Sequence, residues 1–313
     1  MLSRIADSLF WLSRYMERND CLIRVVRTHY ILDFDMHSYS SFTWLDIMQL
    51  FSYPLSEEQI AKSEKTETAL TYLLTDKTNF NSSKVLITRA RENARGAQDN
   101  ITKEVWEMVN QSYHLMHQPN LLELVTSPRA LECMDEMEQS NILFYGVTDS
   151  TMPRGQGWDF MNLGKFVERA ILAIDILKAH FNKINYDIDQ PQDLLYWKHL
   201  LYSLSGYELY LKTYTRGSHN ENIIDHVLFH HNFPRSIVYS LDRVQRYLDE
   251  IAADTEMGGS DALKKSLGRI YSRVEYADLN FIKQEGLESF LNKLRYDLIE
   301  FSNQLTRIYF SYA

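Results

Sequence analysis

Two Glu-Arg dipeptides, Glu17-Arg18 and Glu168-Arg169, are the residues of this chain best placed to do chemistry. Each carries a base three residues earlier, Arg14 in the first and Lys165 in the second. A cation and a carboxylate one helical turn apart can close an ion pair, hold a proton or bind an anion through the cation. Two carboxylates in different surroundings can also divide acid and base roles between them, which makes Glu17 and Glu168 a candidate general acid–base pair. The same residues fit a buried polar network that fixes helix register. Charge clusters of both kinds look alike in sequence, so both readings stay open.

The dipeptides sit in longer segments that repeat. Residues 9–29 read LFWLSRYMERNDCLIRVVRTH and residues 160–180 read FMNLGKFVERAILAIDILKAH. At one constant offset, Leu12, Arg14, Glu17, Arg18, Ile23, Val26 and His29 are matched by Leu163, Lys165, Glu168, Arg169, Ile174, Leu177 and His180. Leu2, Ile5, Leu9, Leu12, Met16, Ile23 and Val26 form a 3–4 stripe of an amphipathic helix. Arg14 and Glu17 lie off that stripe, yet their own line (Phe10, Cys21, Val25) is otherwise apolar. Met161, Lys165, Glu168, Leu172 and Ile176 give the second segment the same order. A helix apolar on two sides is a buried helix. Burial costs several kcal/mol per ion unless the charges are paired and hydrogen-bonded. Each half is therefore expected to bury a basic–carboxylate pair, with both pairs near one central site.

Other polar groups recur at helical spacing. Arg89 to Arg95 reads RARENAR, with Arg91 and Arg95 on one face, where like charges repel unless anions or carboxylates lie between them. Glu92 belongs to the same two turns, and Asn93 and Glu104 are expected to face the interior beside Glu17 and Glu168. Arg235, in Phe233-Pro-Arg-Ser, falls at a helix start, where free N–H groups favour anions. His226 and His230 stand at a metal-chelating spacing, with His231, Asp225 and His219 nearby. No His-Glu-x-x-His or Glu-x-x-His arrangement accompanies them, so they are only weak metal candidates and no metal or cofactor is expected. The chain holds no Gly-rich phosphate loop, Cys-x-x-Cys or Gly-x-Ser-x-Gly elbow.

The elements that must position these groups are helices. Punctuation is sparse, with 11 Gly and 6 Pro in 313 residues, and no segment alternates long enough for a strand. A first helix is expected from about residue 1 to a break at Asp33-Phe-Asp-Met-His-Ser, then short helices over 41–51, at 56–58 and over 63–74. Ser82 or Ser83 should cap a long helix from about Lys84 towards Tyr113. Its Ala90, Ala94 and Ala97 imply close approach to a neighbour. A further helix is expected over 120–143. Residues 146–157, GVTDSTMPRGQG, read as the loop between two halves, about 1–145 and 158–313. Helices over 158–185, 194–214 (bent at Gly206), 222–230, from Pro234, 261–276 and 287–312 complete the second half, with a break at Gly258-Gly259-Ser260. The expected fold is all-α, a multi-helix bundle of two pseudo-repeated halves, each built on a buried helix with a Glu-Arg motif.

Composition excludes several classes. A net charge of −9 argues against general nucleic-acid binding, which needs a basic footprint. Two cysteines, Cys21 and Cys133, make no disulfide framework and suit a reducing compartment, and the expected location is the cytoplasm. Arg4, Asp7, Arg14, Glu17 and Asp20 leave no signal-peptide core, and no apolar run approaches the about 20 residues of a membrane span. Twenty Tyr, 15 Phe and 5 Trp are expected to fill wide gaps between helices.

Four ordered segments, LSRIADSLFWLSRYMER, ARENARGAQDNITKEVWEMVN, GWDFMNLGKFVERA and FPRSIVYSLDRV, resemble the bacterial alpha-E domain family across essentially the whole chain. The resemblance implies an all-helical fold with buried Glu-Arg motifs. It also implies genes beside circularly permuted ATP-grasp ligase-like proteins and transglutaminase-like peptidases, and hence a peptide or amide-bond-forming system. Matching positions are Arg14, Glu17, Arg18, Arg91, Glu92, Asn93, Arg95, Glu104, Glu168, Arg169 and Arg235. Gln98 and Lys165 stand where the family usually has Arg, and Lys keeps the charge without the bidentate fork. The function expected is an accessory or substrate-binding helical partner of an ATP-grasp amide ligase that takes an anionic or peptidic ligand. An enzyme using Glu17 and Glu168, and a purely structural interaction protein, are the alternatives.

Overall fold

The computed structural model describes residues 1–35, 42–52, 54–254 and 260–310. Among these residues there are sixteen α-helices and no strand, so the all-α expectation holds. Among them, too, no helix is long and apolar enough to cross a membrane. The chain divides into two compact units: Trp11–Pro153, and Met1–Phe10 together with Arg154–Ala313.

The Trp11–Pro153 unit holds most of α1 (Ser3–Asp35), then α2 (Trp44–Phe51), α3 (Glu57–Ala61), α4 (Thr66–Leu70), α5 (Ser83–Gly96), α6 (Lys103–Met116), α7 (Leu121–Val125) and α8 (Ala130–Thr151). Side-chain caps set several of the starts. Thr43 and Asp46 cap α2 reciprocally, Ser56 and Gln59 do the same for α3, and Ser82 caps α5 by accepting from the Val85 N–H. α1 continues through residues 33–35, the first of the expected break, and the rest of that break lies outside the described residues.

Three expectations fail here for identifiable reasons. The long helix over 84–113 is two helices. Gly96 ends α5, a 3₁₀ turn follows at Gln98–Asn100, and Thr102 restarts the chain by capping Val105. The helix over 120–143 is likewise split around Pro128, which cannot donate a backbone hydrogen bond. The loop expected over 146–157 is helical as far as Thr151. A Cβ at Gly146 would meet nothing within 4 Å, and the hydroxyls of Thr148, Ser150 and Thr151 bond back to carbonyls four residues earlier. The turn residues that suggested a loop are absorbed into α8, and the chain breaks only around Pro153.

The other unit holds α9 (Gln156–Asn182), α10 (Leu194–Ser203), α11 (Tyr207–Thr213), α12 (His219–Leu228), α13 (Ile237–Asp254), α14 (Ser260–Glu275), α15 (Leu279–Glu285) and α16 (Leu287–Leu305). α9 is its central helix, packed along α13 and flanked by α16 and α10. A Cβ at Gly164 would run into the backbone carbonyl of Phe10, so the glycine is what lets α9 approach the start of α1. Phe10, Phe160, Tyr309 and Phe310 close that corner with rings 5.3–5.8 Å apart. The bend expected at Gly206 is a full break between α10 and α11, with Ser205 at φ +54°. The expected break at 258–260 lies mostly outside the described residues, and α14 starts at Ser260. α15 is the helix that periodicity missed. Asp278 caps it, and Gly286 at φ +87° turns the chain into α16.

Candidate functional site

α1 is buried on nearly every side. Leu9, Leu12, Met16, Leu22, Ile23, Val25 and Val26 are fully covered. Through this apolar helix runs a buried polar line of Ser13, Arg14, Glu17, Asp20 and Arg24. Glu17 is only 1% exposed, so its carboxyl group cannot rely on water. Tyr145 of α8 donates its hydroxyl to Glu17 Oε2 at 2.7 Å. Asp20 and Arg24 pair at 2.6 Å one turn further on. Burial works against the Arg24 charge, but Asp20 and Glu17 outweigh it and hold the proton more firmly than in an ordinary arginine. The Arg14 guanidinium lies over the Trp11 ring, 4.6 Å from its centre.

Neighbouring side chains fasten this line to the rest of the unit. Asn19 donates to Asn141 at 3.0 Å and accepts from Ser83 at 2.6 Å, joining α1 to α8 and α5. Arg18 turns outward and donates to Asn81 Oδ1 at 2.9 Å, while Asn81 donates to the Phe51 carbonyl at 2.6 Å. Further along α1, burial pushes the His29 imidazole down to about 4, against the pull of Asp33 and Asp46, so it is neutral near pH 7.

The second Glu-Arg dipeptide shows the same division of labour within its own unit. Glu168 is also 1% exposed, and Arg169 beside it is half-buried. Arg169 donates to the Pro234 carbonyl at 3.2 Å, and its guanidinium and the Lys165 ammonium both lie over Phe166. Two residues after Pro234, Ser236 accepts from the Tyr239 N–H at the start of α13. Asn81 likewise stands immediately before Ser82, the cap of α5. Each arginine of a Glu-Arg pair therefore holds the strand of chain leading into a serine-capped helix. Arg235, half-buried, falls in the segment that Arg169 grips. His180 and His199 meet at 3.0 Å in this unit, and Arg295 forks onto Asp175 at 2.5 and 3.1 Å. Burial raises Asp175 above the usual carboxylate range, with Arg295 pulling the other way.

Several sequence candidates stand elsewhere. Glu92, Arg95 and Glu104 are exposed, so Glu104 does not face the interior as its stripe suggested. The break at Gly96 resets the helical phase between α5 and α6, and positions after it cannot be read from the stripe before it. Arg91 is half-buried against α6, donating to Asn110 at 2.6 Å and lying over Tyr113 and Trp106. Asn93 is half-buried and donates back to the Arg89 carbonyl at 2.9 Å. His226 stacks on Phe233 at 4.3 Å, with Tyr210 and Tyr214 edge-on. Burial, with help from His230, pushes its imidazole down to about 4. Among the described residues, no group of three or more His, Cys, Asp or Glu could hold a metal ion.

Sequence reasoning did not find Tyr145, Asn81 or Asn141. Their roles depend on which helices meet α1, and no local spacing carries that information.

The fold and these buried dipeptides define an all-helical protein organised around Glu-Arg pairs. The chain belongs to the Alpha-E family, described as an alpha-helical domain with a conserved ER motif, whose model matches residues 1–310. Glu17-Arg18 and Glu168-Arg169 are the two places where Glu-Arg occurs in the sequence. No curated protein and no solved structure matches the chain.

Proposed function

We propose that this chain is an accessory partner of an ATP-grasp amide-ligase system, acting in the bacterial cytoplasm on peptide or amide substrates. Its partners are an ATP-grasp ligase-like protein and a transglutaminase-like protein. The reading rests on the family resemblance for the system. For the role, it rests on one observation: both Glu-Arg dipeptides bury the glutamate and commit the arginine to a helix-capping segment. Groups held this way organise helices around a polar centre, which suits binding of an anionic or peptidic ligand, or of the ligase, better than turnover. Exposed Glu92, Arg95 and Glu104 on α5 and α6 offer a mixed-charge surface for a protein partner.

A second reading is favoured by the Tyr145–Glu17 hydrogen bond of 2.7 Å, a proton-transfer distance suited to general acid–base chemistry. Co-purification of the full chain with the ligase-like protein tests the first reading. A stable complex that changes ligation supports it, and no complex with no effect on ligation sinks it. Glu17→Gln and Glu168→Gln separate the second. Folded variants that keep binding but lose a measurable reaction of the chain alone would favour the enzyme.

A further inference from the structure

The α14 helix and the end of α16 with its following turn enclose an open groove of about 420 Å³. Its walls are Lys265, Ser266, Arg269, Gln304 and Arg307, with Ala262 and Ile308 as apolar surface. Every lining residue belongs to one compact unit, and the Glu-Arg dipeptides take no part in it. The volume falls within the range of small-molecule sites, which runs from about 300 to 1,000 Å³.

The charge in this groove runs against that of the chain. The protein carries a net charge of −9, and several of its cations are held by nearby carboxylates. Lys264 is held by Asp249 at 2.8 Å, Arg246 by Glu250 at 2.8 Å, and Lys283 by Asp189 and Glu221. Lys265 and Arg269 make no ion pair among the described residues. They stand one turn apart on the same face of α14, where like charges repel. Arg307 joins them from the opposite wall, 3.7 Å from Glu300. Lys265, Arg269 and Arg307 therefore line one cavity together with the Ser266 hydroxyl and the Gln304 amide. An anion seated there relieves the repulsion and finds both forked and single donors, the combination that suits phosphate oxygens.

We propose that this groove binds a small organic phosphate, with Lys265, Arg269 and Arg307 on the phosphate oxygens and the Ala262–Ile308 surface against the organic part. Lys265 and Arg269 are exposed, so replacing them leaves the core of α14 in place.

The test is calorimetric titration of the full-length protein with inorganic pyrophosphate at low ionic strength, repeated with Lys265→Ala/Arg269→Ala and with Arg307→Gln. Wild-type binding is expected to weaken with added salt and to fall by at least about tenfold in the double variant. A folded double variant that binds as tightly as wild type overturns the proposal. So does the absence of any pyrophosphate binding at millimolar concentration. Citrate supplies the contrast in chemistry, since equal affinity for the two anions would overturn the assignment to phosphate. Lys212→Ala, which removes an exposed cation outside the groove, is titrated alongside and is expected to leave pyrophosphate binding unchanged. A loss there equal to that of the double variant overturns the assignment to this groove.

Discussion

Tyr145→Phe removes one hydroxyl and leaves its ring on α8 in place, so it isolates one of the contacts that hold Glu17. The carboxyl group is 1% exposed and its Oε2 accepts that hydroxyl at 2.7 Å, so water cannot easily replace the lost donor. Hydrogen bonds to charged groups contribute about 1.5–3 kcal/mol, and a buried acceptor left short of a donor adds to the loss. A destabilisation of about 2 kcal/mol is expected, or a fall in Tm of about 4–8 °C for a unit of this size. Urea unfolding of wild type, Tyr145→Phe, Glu17→Gln and the double variant completes a double-mutant cycle. Glutamine keeps an acceptor but not the charge, so the coupling between positions 17 and 145 should be positive and near 1 kcal/mol or more. Tyr145→Phe within about 0.5 kcal/mol of wild type, together with zero coupling, would refute the claim that Tyr145 anchors the first Glu-Arg pair.

Two further outcomes follow from buried groups. His29 and His226 are each pushed down to about 4 from the usual 6.5, so both are neutral in the folded protein near pH 7. Their stability contribution is complete above pH 6.5 and is lost as the pH falls towards 4, because the unfolded chain takes up the protons first. Each should cost on the order of 3 kcal/mol by pH 4, and unfolding midpoints that stay flat from pH 7 to pH 5 would contradict this. Gly164→Ala places a methyl against the Phe10 carbonyl, which cannot move aside as a flexible side chain would. A loss of about 1–3 kcal/mol is expected by thermal melting, and an unchanged melting temperature would show that α9 can shift to make room.

Much of the fold was legible because helix formation is local. The apolar lines through Arg14–Glu17 and Lys165–Glu168 announced burial, and both glutamates are 1% exposed. Ser82 was readable as a cap from its type and place. What failed did so where a few residues reset the geometry. Gly96 and Thr102 divided a helix that stripe-counting ran together, and with it moved Glu104 to the surface. α8 runs through Thr148, Ser150 and Thr151, residues that otherwise spell a loop, with their hydroxyls bonded to carbonyls four residues earlier. Partners such as Tyr145, on α8, and Asn81, in the turn before α5, were invisible because they come from segments far away in sequence. Side-chain type announced a buried charge, but only the packing of α1 against its neighbours decides what satisfies it.

The reading as an accessory partner is tested most directly by amide-bond formation by the ATP-grasp ligase-like protein, measured with and without the full chain. The account predicts that the chain alone forms no amide. Adding it to the ligase should give a stable complex and raise turnover, and folded Glu17→Gln/Glu168→Gln should still form that complex. Turnover and binding unchanged by the chain, or amide formation by the chain alone that vanishes in the folded double variant, would contradict it.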